Sequence, residues 1–347
     1  MEQQERTFRI GPIRPPSEAN SLLLQVTNGC TWNKCKFCQL YRHTKFKAYS
    51  ADSIKADIDN IAYQADIIRR YQTPLGAWDI DGLNQELGQI PSEEERQCFY
   101  MVANWLVGGG ENVFLQDGNT TALSSGRLSD VLIYLKQAFP GIKRITSYGR
   151  AENLSRVSAE EYAELKEAGL DRIHSGFETG SDAVLQKINK GVTQQQEITA
   201  GKNIKAGGIE LSVYFMPGVG GKELTKENQD AIREAIEAGH KVVISTGRPL
   251  AGATAQARAL HLDGEGCYII CFNGGEIYDC AARKSLYRKC VPFDEVRYVF
   301  DLAHKRGLHI QAYDRNHVIG EENRKEIFDY SSVYGLPVKI VPDVISC

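Results

Sequence analysis

Three cysteines fall within nine residues, in the run Cys30-Thr31-Trp32-Asn33-Lys34-Cys35-Lys36-Phe37-Cys38. The spacing is C-x4-C-x2-C, and the run follows the apolar stretch Ser21–Thr27 and the turn pair Asn28-Gly29. Close thiolates on one loop suit an iron–sulfur cube, in which each cysteine holds one iron. Three protein ligands for four irons leave one iron open to a small molecule. Zinc is the competing metal, and its structural sites take four ligands. His43 could be the fourth, although structural zinc sites usually come as two spaced pairs. Three incidental thiols are the plain alternative, since cysteine is commonly a small buried apolar residue.

That plain account covers most of the other six cysteines, Cys98, Cys267, Cys271, Cys280, Cys290 and Cys347, which are scattered along the chain. The chain has 347 residues, 42% hydrophobic and 24% charged, with a net charge of -3. These values suit a soluble globular protein of two domains. A charge so near neutral gives no reason to expect a nucleic-acid or membrane-surface partner. No apolar run approaches the roughly 20 residues that span a bilayer. The start, Met1–Arg6, is polar and lacks the apolar core of a secretion signal. A cytoplasmic protein is expected, with its thiols free or bound to metal.

The elements that must position the cysteines alternate. Strands are expected at Ser21–Thr27, Asn112–Gln116, Lys143–Tyr148, Arg172–Glu178 and Glu210–Met216, each closed by a turn signal. Between them, Ser158-Ala159-Glu160-Glu161 has the spacing of a capping box, with a stop at Gly169. A second helix is expected from Ser181 to Lys190, stopped by Gly191. This rhythm predicts an α/β fold with a parallel sheet and right-handed crossovers, open or closed into a barrel. Ligands then gather at the C-terminal strand ends. The unusual residues lie there: the cysteines, Asp117-Gly118-Asn119, Tyr148-Gly149-Arg150, Glu178 and Met216-Pro217-Gly218.

The cysteine run resembles that of the radical S-adenosylmethionine superfamily over residues 17 to 224. The usual motif is C-x3-C-x-aromatic-C. Here Phe37 holds the aromatic place and the first gap is one residue longer, as in a subgroup with Gly-Cys-Ser/Thr-x-Asn-Lys/Arg-Cys-x-Phe-Cys. The resemblance implies a partial (βα) barrel and a [4Fe–4S] cluster on Cys30, Cys35 and Cys38. It implies that S-adenosylmethionine chelates the open iron and is cleaved reductively to a 5′-deoxyadenosyl radical that abstracts hydrogen from a small-molecule or unknown substrate. An electron donor such as a flavodoxin or ferredoxin is implied as partner. The family's Gly-Gly-Glu stretch falls at Gln116-Asp117-Gly118-Asn119, which makes Asp117 and Asn119 acceptors for the cofactor's ammonium. Glu178 would meet a ribose hydroxyl or a substrate amine, or be a charge at a helix N-terminus. Met216 and Gly218 would border adenine. Arg150 would pair a carboxylate or lie on the surface.

From Lys222 the vocabulary changes. Lys241–Pro249 and Ile269–Asp279 resemble the Cof-type branch of the haloacid dehalogenase phosphatases, with Thr246 as the phosphate-binding residue and Asn273 near the substrate. The family attacks phosphate with an Asp in Asp-x-Asp-Gly-Thr. Upstream of Lys222 stands Ser212–Gly220, without an Asp, and Asp263-Gly264 is misplaced. The family's later lysine and acidic motif would fall beyond Cys347. Phosphatase chemistry is expected to be absent. The expected division is a barrel-like domain, 1–224, and an incomplete phosphatase-like segment, 225–347, with a core piece over 225–279 and the start of a cap over 280–347. The chain reads as a chimera joined within Lys222–Asn228, by recombination or in sequence assembly. A hydrolase and a non-functional fusion are the rival readings. A final expectation concerns the join: helix Thr225–Ala238 and strand Lys241–Ser245 would continue the barrel, the strand pairing parallel to the one ending at Met216.

Overall fold

The computed structural model describes residues 6–216, 218–221 and 225–346. Within them the chain divides into two compact units, Met1–Asn228 and Gln229–Cys347.

The first unit is built on five strands: β1 (Leu22–Gln25), β2 (Asn112–Gln116), β3 (Arg144–Tyr148), β4 (Leu170–Glu178) and β5 (Glu210–Phe215). They lie side by side in chain order, and every pairing is parallel. Each crossover therefore steps the chain the same way along the sheet, which is the strand order of a partial (βα) barrel. The connections carry the helices α1 (Ala51–Arg69), α2 (Ile80–Gln89), α3 (Glu93–Val107), α4 (Ser125–Ala138), α5 (Ala151–Leu154), α6 (Ala159–Ala168), α7 (Asp182–Lys187) and α8 (Gln194–Ala206). Helix α6 begins in the expected capping box between Ser158 and Glu161 and ends at Gly169, whose φ of 117° needs a residue without a Cβ.

In a parallel sheet, register partners share a face. Leu22, Leu24, Val113, Leu115, Ile145 and Ile173 point to the helices and are fully buried against Ile58 and Ile61 of α1, Leu132 of α4, Leu165 of α6 and Ile204 of α8. Each such side chain contributes about 1.5–3 kcal/mol by leaving water. The opposite face is polar and aromatic. Phe114, Tyr148, His174 and Tyr214 pack edge to face or stacked, and His174 lies between the Tyr214 hydroxyl, 3.0 Å from Nδ1, and Glu18, 3.4 Å from Nε2. Arg144 reaches Glu18 at 2.9 Å, and this pairing together with the hydrogen bonds from His174 and Ser21 holds the Glu18 carboxyl below its ordinary value against the opposing effect of burial.

The second unit contains a four-stranded sheet in the order β9 (Lys284–Arg288), β8 (Glu276–Asp279), β7 (Cys267–Cys271) and β6 (Val242–Ser245). β6 runs parallel to β7, and the other pairings are antiparallel. Ile232 and Ile236 of α9 (Thr225–Glu237) pack with Ala253 and Ala257 of α10 (Leu250–Ala259) and with Ile244 and Ile269. A smaller sheet of β10 (Ala312–Tyr313), β11 (Val318–Gly320) and β12 (Val338–Ile340) carries α11 (Phe293–Lys305) and α12 (Lys325–Tyr334) beside it in sequence, with its own core of Val318, Ile327 and Leu336.

This arrangement corrects the expectation at the join. Among the described residues β6 pairs only with β7, and β5 pairs only with β4. The helix-then-strand order suited a barrel crossover, but α10 makes β6 and β7 a crossover unit of their own. The connection 246–266 is nearly as long as 216–241, so loop closure alone does not choose between them. β5 remains a sheet edge, with Phe215 and Met216 40% and 39% exposed.

Candidate iron–sulfur site

The cysteine loop leaves the sheet after β1, through the short ladder of 27–28 with 47–48. Gly29, at φ 80°, turns the chain into it. Arg42 then ties the loop to itself, donating to the carbonyls of Cys35 (2.8 Å) and Cys38 (3.1 Å). Asn33, itself at φ 53°, donates to the carbonyl of Tyr41. Cys35 is buried, and Cys30 and Cys38 are half-buried. Burial pushes the Cys35 thiol up, while Lys190 and Arg150 pull it down and the Cys30 and Cys38 thiols add to the rise. The three sulfurs thus lie in one another's field, together with two cations. Among the described residues no three His, Cys, Asp or Glu side chains close on one ion. A cube places each cysteine on a different iron, and three thiols on one loop are a donor set it takes.

The other strand ends hold this loop in place. Trp32, within the first gap, lies against the turn that follows α7. Its indole Nε1 donates to the Asn189 carbonyl at 2.8 Å, and its ring lies where any Cβ on Gly191 would stand, 2.4 Å away. The Lys36 amide donates to the Ile188 carbonyl (2.9 Å), and Asn189 Nδ2 donates to the Lys34 carbonyl (2.9 Å). After β3, Arg150 stacks over Trp32 at 5.7 Å, reaches Cys30 Sγ at 3.9 Å and donates to the carbonyls of Lys190 and Gly191.

After β2, the expected cofactor residues take mostly internal roles. Gln116 exchanges hydrogen bonds with the backbone of Gly11 and donates to Ile13, so its amide fastens the N-terminal segment. Asn119 is buried and holds four partners: it donates to Thr31 and Asn153 and accepts from Thr121 and the Arg150 amide. Asp117 is buried beside the Tyr41 hydroxyl, which donates to Oδ1, and burial pushes its carboxyl up. Gly118 is required by space, since a Cβ would stand 2.9 Å from the Tyr41 ring and 3.0 Å from the Gly29 carbonyl. Gln116 and Asn119 thus brace neighbouring loops, and the expected ammonium acceptor keeps one candidate atom, the buried Asp117 Oδ2, which has no partner among the described residues.

Glu178 ends β4 at φ 68° and pairs with Lys190 at 2.8 Å, both side chains being largely buried. It is not a helix N-terminal charge, for α7 starts at Asp182 with Ser181 as its cap. Lys190 also lies 5.6 Å above the Phe37 ring, and the Met216 amide donates to the Glu178 carbonyl at 2.9 Å. Gly218, at φ 84°, sits in the turn after Met216, while Pro217 and residues 222–224 of the join lie outside the described residues. Phe37, Glu178 and Met216 thus share one neighbourhood with the cysteines. Arg150, expected to pair a carboxylate or lie on the surface, instead stands beside Cys30 and Trp32, while Trp32 and Lys190 themselves escaped the sequence reading. Glu197 of α8 was missed too: it is buried, its Oε1 has no partner, and its carboxyl is pushed up to about 9, chiefly by burial.

In the second unit Thr246 and Asn273 do meet. The Asn273 amide donates to the Thr246 carbonyl at 3.3 Å, and Thr246 Oγ1 accepts from the Arg248 amide. Among the described residues no carboxylate is hydrogen-bonded to either.

Residues 219–341 match the haloacid dehalogenase-like hydrolase family. Over 107 residues the chain is 35% identical to 5-amino-6-(5-phospho-D-ribitylamino)uracil phosphatase YcsE of Bacillus subtilis, covering 31% of this chain and 41% of that protein. Over 127 residues it is 28% identical to heme chaperone HemW of the same organism, covering 36% of this chain and 33% of HemW. Among solved structures, the cobalamin-dependent S-adenosylmethionine radical enzyme OxsB aligns at 16% identity and a TM-score of 0.41, over 86% of this chain and 37% of that one. The chain spans less than half the length of the curated relatives it matches. No helix among the described residues is long and apolar enough to cross a membrane. Residues 24–235, more than half of the chain, match the Radical SAM superfamily, and the chain belongs to that family, joined to a haloacid dehalogenase-like segment.

Proposed function

We propose that Cys30, Cys35 and Cys38 hold a [4Fe–4S] cluster and that this chain uses it to cleave S-adenosylmethionine reductively. The observation that carries the reading is the loop itself: three thiols in mutual electrostatic range, with Lys190 and Arg150 beside them. The donor set suits the group, because thiolates are the usual ligands of such clusters and the two cations offset their charge. When bound, the cluster supplies one electron to the sulfonium of S-adenosylmethionine. The chain's own residues hold and orient. Glu178 and the turn from Met216 to Gly218 suit ribose hydroxyls and adenine, and Phe37 offers a half-exposed ring beside them. The sheet face bearing Thr146, Tyr148, His174 and Tyr214 is the polar surface onto which a substrate would be placed. A flavodoxin or ferredoxin class of protein would deliver the electron.

Anaerobic reconstitution with iron and sulfide tests this. The purified chain should bind close to four irons, about one per cube corner, show broad visible absorption, and release 5′-deoxyadenosine from S-adenosylmethionine on reduction. A reconstituted chain without iron or visible absorption would sink the reading. Phosphate-ester hydrolysis is not favoured, because among the described residues no carboxylate is hydrogen-bonded to Thr246 and no Asp stands in Ser212–Gly220.

A further inference from the structure

Of the two cations beside the cysteines, Arg150 has no ion pair with a carboxylate among the described residues. Lys190 is neutralised by Glu178 at 2.8 Å. Arg150 instead donates to the carbonyls of Lys190 (3.1 Å) and Gly191 (3.4 Å), stacks on Trp32, and turns Nη1 to Cys30 Sγ at 3.9 Å. Its Nε is buried and has no partner. A guanidinium half withdrawn from water with no counter-charge is costly unless an anion stands beside it. The sulfurs beside it, Cys30 at 3.9 Å and Cys35 within its field, can supply negative charge once they are thiolates. A cluster held by three thiolates is anionic, and each added electron deepens that charge. Hydrogen bonds to the sulfurs and nearby charge are among the features that set such potentials.

The geometry points to Arg150 as a positioning residue that raises the reduction potential of the cluster, through its contact with Cys30 and its stack on Trp32. This rests on the reading of the loop as a cluster site. The extra residue of the first gap then has a use: Trp32 is the platform that fixes the guanidinium, and the Lys190 and Gly191 carbonyls fix its fork. A lysine can return the charge but not the planar stack or the fork.

The test is a spectroelectrochemical titration of the reconstituted full chain, wild type against Arg150→Gln and Arg150→Lys, with iron content and circular dichroism measured on each. Arg150→Gln should keep its iron and its fold yet be at least tenfold harder to reduce, about 59 mV more negative for one electron. Arg150→Lys should fall between the two. If both variants retain iron and titrate with wild type, the inference is wrong while the cluster reading stands. If wild type itself binds no iron, it is the cluster reading that has failed. Iron lost from both variants with the fold intact would also overturn the inference, making Arg150 a residue of assembly and not of potential.

Discussion

At the C-terminal ends of β1 to β4, side chains from four separate connections reach one another. Asn119 joins Thr31, Asn153 and the Arg150 amide, Trp32 rests on Gly191, and Lys190 bridges Glu178 and Phe37. At the ends of β6 and β7, Thr246 and Asn273 meet with only backbone between them. Both sheets place recognisable residues at the expected strand ends. The difference lies in what supports them. The first sheet has one continuous core beneath it, while the second unit divides its apolar residues between two small clusters. A strand-end motif becomes a site when neighbouring loops hold it in position, and in the first unit four connections do so.

The largest effect should come from the ligands. Cys30→Ala, Cys35→Ala and Cys38→Ala should each abolish iron binding after reconstitution, since no other cysteine lies on the loop. Cys98→Ala, whose thiol instead exchanges hydrogen bonds with the Phe8 backbone, should bind iron as wild type does. Equal iron in all four variants would erase the contrast between the two units.

Next is the pH dependence that Glu197 gives the first unit. Its folded value, about 9, lies above the ordinary 4.5, so the buried carboxyl favours folding when protonated. That stability is complete below pH 4.5 and is lost as pH rises toward 9, by up to about 1.4 kcal/mol per pH unit. Urea midpoints of Glu197→Gln should therefore fall less steeply between pH 5 and 8 (roughly the window set by that shift) than those of wild type. Parallel curves would mean that the carboxyl ionises freely in the folded state.

A smaller change is expected at the platform under Trp32. Gly191→Ala adds a Cβ into the indole ring at a φ of 68°, and should cost about 1–3 kcal/mol and lower iron occupancy. A variant as stable and iron-rich as wild type would show that the loop does not depend on this turn. The smallest effect, none at all, is expected at Thr246. With magnesium and a chromogenic phosphate ester, wild type and Thr246→Ala should both match buffer. A wild-type rate that falls in the variant would reveal a nucleophile and place working chemistry in the second unit.

The sequence by itself determined the elements and where chemistry could gather. The run from Asn112 to Gln116 is a strand because its apolar residues are bounded by turn residues, and Ser158 with Glu161 starts a helix because they close a capping box. Such features depend on near neighbours, so a linear reading captures them. The tertiary structure decided the rest. It gave Gln116 and Asn119 bracing hydrogen bonds, whose partners, Thr121 aside, lie 31 to 105 residues away. It brought Arg150 to Cys30 across 120 residues. It also paired β6 with β7 and left β5 an edge. A helix followed by an apolar strand carries no mark of its sheet, because periodicity is a local signal and pairing is not.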